Sequence, residues 1–278
     1  MIALAHLNHC LRPSADRDEA FCRQIAERLG LRIAVDVVDV QSFARFGTLS
    51  LEDAARRVRY EFLERAAAAL GADQIAVGHT QDDQAETFLL KLMRGAGLTG
   101  LAGIYPRRGR VIRPLLDVSR ADLRTYLVSK GAAWVEDETN EDLDNPRNRV
   151  RHRVLTELDR AADGPTRPAI ARAAGLIRED GQWLDEVADD CYRRLVAETE
   201  GGLELDVSGL VEAPLPIQRR VLLRAMRRSA GHREIGLEHV EGVMVLLGGV
   251  HGGIDVPGAR VELRGRKMVF IQQKAAIR

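Results

Sequence analysis

The segment Gly78-His79-Thr80-Gln81-Asp82-Asp83-Gln84-Ala85-Glu86-Thr87 gathers ionisable and amide side chains directly behind an apolar, strand-like run. Glu86 lies four residues from Asp82 and three from Asp83, so on a helix the carboxylates share a face. Two readings fit that spacing. Acidic groups at a helix N-terminus are stabilised by the helix dipole, which is a complete structural explanation. Alternatively, Asp82, Asp83 and Glu86 form a magnesium or polyphosphate site, because Mg²⁺ takes a few carboxylate oxygens and lets waters and substrate phosphates complete its octahedron. A second cluster closes an earlier apolar run: Ala5-His6-Leu7-Asn8-His9-Cys10-Leu11-Arg12. A single histidine there is an ordinary packing or capping residue. Asn8, His9 and Arg12 together at a strand's C-terminal end suit a polar pocket wall.

Two arginine groups add cationic chemistry. Arg56, Arg57, Arg59 and Tyr60 fall within one helical stretch, either as a solvated face or as substrate contacts. Further on, Pro146-Arg147-Asn148-Arg149-Val150-Arg151-His152-Arg153 places an arginine at every second position. Guanidinium groups this close repel one another unless anions screen them, which points to a phosphate partner. The acidic residues just upstream, Glu136-Asp137-Glu138 and Glu141-Asp142-Leu143-Asp144, offer internal neutralisation as the rival explanation.

The elements needed to position these groups alternate between strand and helix periods over the first 135 residues. Ile2 to Leu7 and Ile33 to Val38 read as strands, Ala15 to Leu29 as a helix with Ser14 as its cap. Ser50 with Asp53 resembles a capping box opening a helix to Leu70 before Gly71. A brief strand from Gln74 to Gly78, a helix from Asp82 to about Met93, a glycine-rich loop from Gly95 to Gly103 and a strand at Val111 to Arg113 follow. Ser119 with Asp122 caps a helix to Lys130, and Ala133 to Val135 closes the series as a strand. Such alternation predicts an α/β domain with a parallel sheet covered on both faces. Ligands in such sheets sit beyond the C-terminal strand ends, where Asn8–Arg12 and Gly78–Glu86 lie.

After the linker-like stretch 161–168 the pattern becomes mainly helical: Ala169 to Glu200, Ile217 to Ser229 and Leu237 to Leu247. A terminal hairpin, Ala259 to Leu263 and Met268 to Gln272, turns around Gly265. Two domains are expected, 1–160 and 161–278. The 278-residue chain carries 41 basic and 41 acidic residues, a balance that holds on either side of residue 160, so no global field recruits nucleic acid. Only four of the basic residues are lysines, which matches GC-rich codon usage as well as bidentate phosphate recognition. Three cysteines without C-x-x-C spacing argue against a zinc ribbon or a disulfide framework. No apolar run spans a bilayer and no secretory signal opens the chain, so a soluble cytoplasmic protein is expected.

Taken in order, the motifs resemble the tRNA(Ile)-lysidine synthetase family of N-type (PP-loop) ATP pyrophosphatases. The matching pieces are Leu7-Asn8-His9-x-Leu11-Arg12, Leu49-Ser50-Leu51-Glu52-x-Ala54-Ala55-Arg56-x-x-Arg59-Tyr60 and Gly78-His79-x-x-Asp82-Asp83-Gln84-x-Glu86-Thr87. Arg94-Gly95-x-Gly97-Leu98-x-Gly100-Leu101-x-Gly103-Ile104, Arg113-Pro114-Leu115-Leu116, Asp137-x-Thr139-Asn140 and Arg147-Asn148-Arg149-x-Arg151-His152 continue the series. The likeness is specific through residue 155 and thinner beyond.

The resemblance implies a reaction in two steps. ATP adenylates the C2 oxygen of an anticodon-loop cytidine of tRNA(Ile), releasing pyrophosphate; the amine of free lysine then attacks C2 and expels AMP. A carbonyl-type oxygen leaves poorly, whereas AMP leaves well. Carried over, His79, Asp83 and Glu86 line the reaction centre, the carboxylates aiding metal or lysine binding, with Asp82, Asp83 and Glu86 as the magnesium set. Asn8, His9, Arg12 and Arg113 form the ATP-facing set and Arg56, Arg59, Arg147, Arg149 and Arg151 the tRNA-facing set, with Arg113, Arg147 and Arg149 meeting either ATP or the cytidine. Partners are tRNA(Ile) and lysine, with no membrane and with a homodimer left open.

The family's phosphate loop, Ser-Gly-Gly-x-Asp-Ser, is absent from these residues, and the strand that carries it belongs at the centre of the sheet. Its backbone N–H groups hold pyrophosphate. Impaired ATP activation is therefore expected of the chain as written. A start codon assigned about 30 residues late, by the family's layout, is one explanation, which reading the upstream codons tests. Rival expectations are another PP-loop reaction, such as thiolation or amidation, and a tRNA-binding remnant without catalysis.

Overall fold

The computed structural model describes residues 2–47, 50–231, 233–248 and 252–273; Leu49 of the second motif lies outside them. The chain divides into two compact units, Met1–Gly175 and Leu176–Arg278. The division falls inside a long helix rather than in the stretch 161–168.

The first unit opens with β1 (Ala3–Asn8), α1 (Ala15–Arg28) and β2 (Arg32–Val37). Here β1 and β2 are parallel neighbours, with Asn8 beside Val37. Then come α2 (Val40–Gly47), α3 (Leu51–Leu70), β3 (Ile75–Ala76), α4 (Gln81–Leu92) and α5 (Leu98–Leu101), a single turn within the glycine-rich segment. Next are β4 (Arg107–Arg108), β5 (Val111–Ile112) and α6 (Arg120–Ser129). A 3₁₀ turn (Glu138–Glu141), α7 (Pro146–Arg149), a π-helical turn (Val150–Val154) and α8 (Leu155–Ala161) lead to α9 (Arg167–Leu195).

The expected capping signals set the key helices. Ser50 accepts from the Asp53 N–H and Gly71 closes α3 in the left-handed region; Ser119 caps α6 in the same way. Ser14 stands at the α1 cap position but makes no side-chain bond there. Ala133–Val135 forms no strand. It is part of an irregular connection in which the Trp134 indole donates to Glu136 at 2.8 Å. A three-residue segment with no hydrogen-bonded neighbour cannot hold a ladder.

The parallel sheet is in two pieces among the described residues. One is β1–β2; the other is β3–β5–β4, with β3 and β5 parallel and β4–β5 antiparallel. Helix α3 joins them. Leu7, Val58, Phe62 and Ala66 form the cluster under β1, and Ala67, Ile75 and Val111 form the one under β3 and β5. Apolar residues of one amphipathic helix thus hold both pieces, each burying surface that would otherwise face water.

In the second unit, β6 (Val196–Thr199), β7 (Gly202–Asp206), α10 (Val207–Val211), α11 (Leu215–Ala230), α12 (Leu237–Leu247), β8 (Gly253–Val256), β9 (Ala259–Arg264) and β10 (Lys267–Gln272) build a helical layer on a five-stranded antiparallel sheet. Strand order is β6-β7-β10-β9-β8. Alternate residues Leu203 and Leu205, Val261, Met268 and Phe270 face Val221, Leu222 and Met226 of α11 and Val243 and Leu246 of α12. The expected hairpin is β9–β10, with Met268 opposite Leu263.

The helix expected to reach Glu200 stops at Leu195, and β6 replaces its end, with β7 following beyond the turn. Gly202 decides the turn: with φ of 143°, an added Cβ would lie 1.9 Å from the Phe270 carbonyl oxygen. No helical period carries that information, because the contact comes from a strand 68 residues later.

Candidate functional site

Helix α4 begins with a reciprocal cap. Thr80 accepts from the Asp83 N–H, and Asp83 Oδ2 accepts from both the Thr80 N–H and its hydroxyl at 2.8 Å. Burial raises the Asp83 pKa, but the Thr80 hydrogen bonds and then Arg147 and Arg120 outweigh it, so the carboxyl sits below its ordinary range. Asp82 turns elsewhere. Its Oδ2 accepts from the Arg120 N–H at the start of α6 at 2.8 Å, and its Oδ1 lies 3.4 Å from Arg167 Nε.

Glu86, one turn on, is fully buried. Arg147 Nε donates to one oxygen and Arg151 Nε to the other, both at 2.7 Å. Arg147 also donates to the Asp83 carbonyl and the Thr87 hydroxyl, and Arg151 to Asn140 Oδ1 at 2.7 Å. Burial works against the Arg151 charge, yet the Glu86 carboxylate holds its pKa above the usual value. Buried charges persist only when paired in this way.

The alternation of arginines in 147–151 follows from local geometry. Asn145 caps α7, Pro146 starts it, and Arg147 and Arg151, four residues apart on the continuing helical turns, meet one carboxylate. Arg149 points away and donates to the Leu143 and Asp144 carbonyls at 2.9 and 2.8 Å. Buried Asn148 donates to the carbonyls of Thr139 and Asp142. The segment is therefore neutralised largely from within, by Glu86, Asp83 and backbone carbonyls.

A second group centres on α3. Arg59 reaches His9 behind β1, with Nη2 3.2 Å from His9 Nε2. Tyr60, the next residue, takes a hydrogen bond from Arg113 Nη2 at 3.4 Å, and Arg56 stacks over its ring at 5.1 Å. Arg113 is buried; it donates through Nε to His79 Nδ1 at 3.3 Å and through Nη1 to the Tyr105 carbonyl at 2.7 Å. The turns after β1 and β3 are thus tied to neighbouring residues of a single helix turn. Burial above all, then the Arg113, Arg147 and Arg56 charges, lowers the His79 pKa against the opposing pull of Asp83. The imidazole is neutral near pH 7.

At the β1 end, buried Asn8 donates to Asp16 at 2.9 Å and Glu19 at 3.3 Å, while the Cys10 N–H donates back to Asn8 Oδ1. Cys10 itself has a positive φ of 53°. Arg12 bridges Asp18 and Asp137, linking the first turn to the 3₁₀ segment that carries Asn140. Every residue expected at the site lies in the first unit. Asn140 stood in a quoted motif without a role, whereas Arg120 and Arg167 belong to none and become visible only in three dimensions.

His9 makes a pH prediction. Burial, then Arg59 and His6, lower its pKa to about 4. An unfolded histidine titrates near 6.5, so between those values the folded chain binds fewer protons, and stability falls as the pH drops from about 6.5 to about 4. His9→Gln should flatten that limb in pH-dependent chemical denaturation; an unchanged slope would show that His9 titrates normally.

The magnesium expectation meets a different arrangement. Among the described residues no three His, Cys, Asp or Glu side chains converge as metal ligands. Asp82, Asp83 and Glu86 are engaged by caps and guanidinium groups instead, so this carboxylate trio does not fit a magnesium ligand set. No described helix is long and apolar enough to cross a membrane.

Residues 1–158 match the model of a PP-loop domain family. A tRNA(Ile)-lysidine synthase from Geobacter sulfurreducens is 37% identical over 282 residues, covering 99% of this chain and 60% of the relative. The Thermus thermophilus protein of that name is 40% identical over 226 residues, covering 81% and 43%. That from Symbiobacterium thermophilum is 38% identical, covering 94% and 57%. The chain thus spans between 43% and 60% of the length of these relatives. Among solved structures, the U34-tRNA thiolase NcsA from Methanococcus maripaludis aligns with a TM-score of 0.50 at 15% identity, covering 63% of this chain and 61% of the thiolase, which is a likeness of fold. With more than half its length matched by the family model, the chain belongs to the PP-loop domain family, and the curated relatives it resembles are tRNA(Ile)-lysidine synthases.

Proposed function

We propose that this chain carries the nucleotide- and cytidine-facing part of a tRNA(Ile)-lysidine synthase, which joins lysine to C2 of an anticodon-loop cytidine through an adenylated intermediate. The observation that carries the reading is the tie of both strand-end turns to one turn of α3, through Arg59–His9 and Tyr60–Arg113–His79. Polar groups at C-terminal strand ends are where open α/β sheets take ligands. The relatives' names supply the tRNA and the ligase chemistry.

In the first step the cytidine C2 oxygen attacks the α-phosphorus of ATP and pyrophosphate leaves. Arg113, held on three sides, and the guanidinium groups of Arg56 and Arg59 face the charge that grows on the phosphates. In the second, the neutral amine of lysine attacks C2, the bond to the adenylate oxygen breaks, and AMP departs with its electron pair. The amine sheds a proton as the C–N bond forms. Ionised Asp83 is suited to hold the lysine ammonium before reaction. That ammonium gives one proton to solvent to become the attacking amine, and the proton shed on bond formation also passes to solvent. Neutral His79, with Nδ1 taken by Arg113, is suited to donate its Nε2–H to the departing AMP oxygen. Arg147, Arg149 and Arg151 order the 139–151 segment beside the cytidine.

These residues contain no Ser-Gly-Gly-x-Asp-Ser loop, so the proposal includes weak ATP activation by residues 1–278 taken alone. The test supplies tRNA(Ile), ATP and labelled lysine to residues 1–278 and to a version extended by the upstream-encoded residues. Lysine incorporation by the extended protein, with little by the shorter, is expected. Equal incorporation by both would refute the weak-activation part, and none by either would refute lysidine synthesis. Salt-sensitive tRNA binding in that last case would favour a non-catalytic tRNA-binding role.

A further inference from the structure

Gln84 stands in the first turn of α4 between Asp83 and Glu86, yet its side chain is buried and turns away from both. It grips the end of the glycine-rich segment. Nε2 donates to the Ala102 carbonyl at 3.2 Å, and Oε1 accepts from the Ile104 N–H at 2.7 Å. Gly103 sits between the two contacts with φ of 65°, where a Cβ would lie 2.8–3.0 Å from the Gln84 amide atoms. One amide thus fixes the donor and acceptor that flank a left-handed residue, a task no apolar side chain performs.

The residues that follow hold the site. Tyr105 offers its carbonyl to Arg113 Nη1 at 2.7 Å, and Pro106 offers its carbonyl to the Arg113 N–H at 2.8 Å. Arg113 then donates to His79 Nδ1. We infer that Gln84 is a positioning residue that, through the clasp on Ala102–Ile104 and the Tyr105 carbonyl, aims Arg113 so that His79 Nδ1 is an acceptor and its proton resides on Nε2. This rests on the proposed role of His79, since a ring in that tautomer presents N–H outward from Arg113 and has its second nitrogen engaged.

The experiment is ¹⁵N NMR of histidine-labelled residues 1–278, with the His79 signals identified by their loss in His79→Gln. In the parent chain near pH 7, His79 should show the Nε2–H tautomer. Gln84→Met, which removes both amide bonds, should move its Nδ1 and Nε2 resonances toward the averaged positions of two tautomers. Gly103→Ala, which presses a methyl group into the amide, should shift them in the same direction. If Gln84→Met does not fold, Gln84→Glu keeps the acceptor for Ile104 and removes the donor to Ala102, and the same movement is expected in smaller degree. Lower melting temperatures with His79 resonances unchanged in folded variants would overturn the inference and leave Gln84 a structural residue. The readout needs no tRNA or ATP: tautomer shifts with no effect of His79→Gln on lysine incorporation would sink the functional role of His79 while leaving the clasp standing.

Discussion

Replacing Glu86 with alanine should lower stability by about 3–5 kcal/mol, the cost of removing one partner from a buried ion pair. The side chain is wholly enclosed and receives both Arg147 and Arg151, so its loss strands two guanidinium groups in the first unit. It also frees the segment they anchor, since Arg151 continues to Asn140 and Arg147 to Thr87. The melting temperature should drop on the order of 10 °C for a unit of this size. Glu86→Gln retains the shape and part of the hydrogen bonding, and should fall between alanine and the parent. Denaturant titration of the three proteins decides the matter. A parent-like midpoint for Glu86→Ala would mean that the arginines find solvent without penalty and that the carboxylate is free for another duty, metal binding included.

The second large effect concerns rate. His79→Gln should cut lysine incorporation by the upstream-extended protein by about 10²–10³-fold, the usual cost of losing one positioned hydrogen-bond donor where charge develops. Stability should change little, because glutamine fills similar space and still offers an acceptor to Arg113. Burial lowers the His79 pKa, so the acid limb of the parent's pH–rate profile belongs below the ordinary histidine range near 6.5. The profile of the variant should lose that limb. Arg113→Lys supplies the control: it keeps a charge but loses the fork that reaches His79, Tyr60 and the Tyr105 carbonyl together. A His79→Gln protein with the parent's rate would remove the imidazole from the chemistry.

Both predictions concern groups whose importance was visible in the chain but whose partners were not. Asp82, Asp83 and Glu86 do fall at one end of one helix, as their spacing requires. Their destinations differ, however: the N-terminus of α6 for Asp82, a cap on its own helix for Asp83, and a pair of arginines some 60 residues on for Glu86. The arginine run posed a choice between external phosphate and internal carboxylate. Fully buried Glu86 settles the pairing of Arg147 and Arg151, and two backbone carbonyls take Arg149. Spacing could not decide it, since the same residues in solvent would have been free for RNA.

The sequence by itself determined the alternation of elements, the caps Ser50 and Ser119, the limits of α12, the two strand-end turns and the family likeness. Those features are local: hydrophobic period, cap chemistry and short motifs act over a few residues. Only the tertiary structure decided that α3 carries the ties to both turns and that the parallel strands stand in two pieces. It alone placed Arg120 and Arg167 on Asp82, clasped Gln84 around Gly103, and converted a predicted helix end into β6. Each of these depends on groups far apart in the chain meeting under burial, where an unpaired polar atom or a vacant contact is costly and the partner is chosen by geometry rather than by sequence distance.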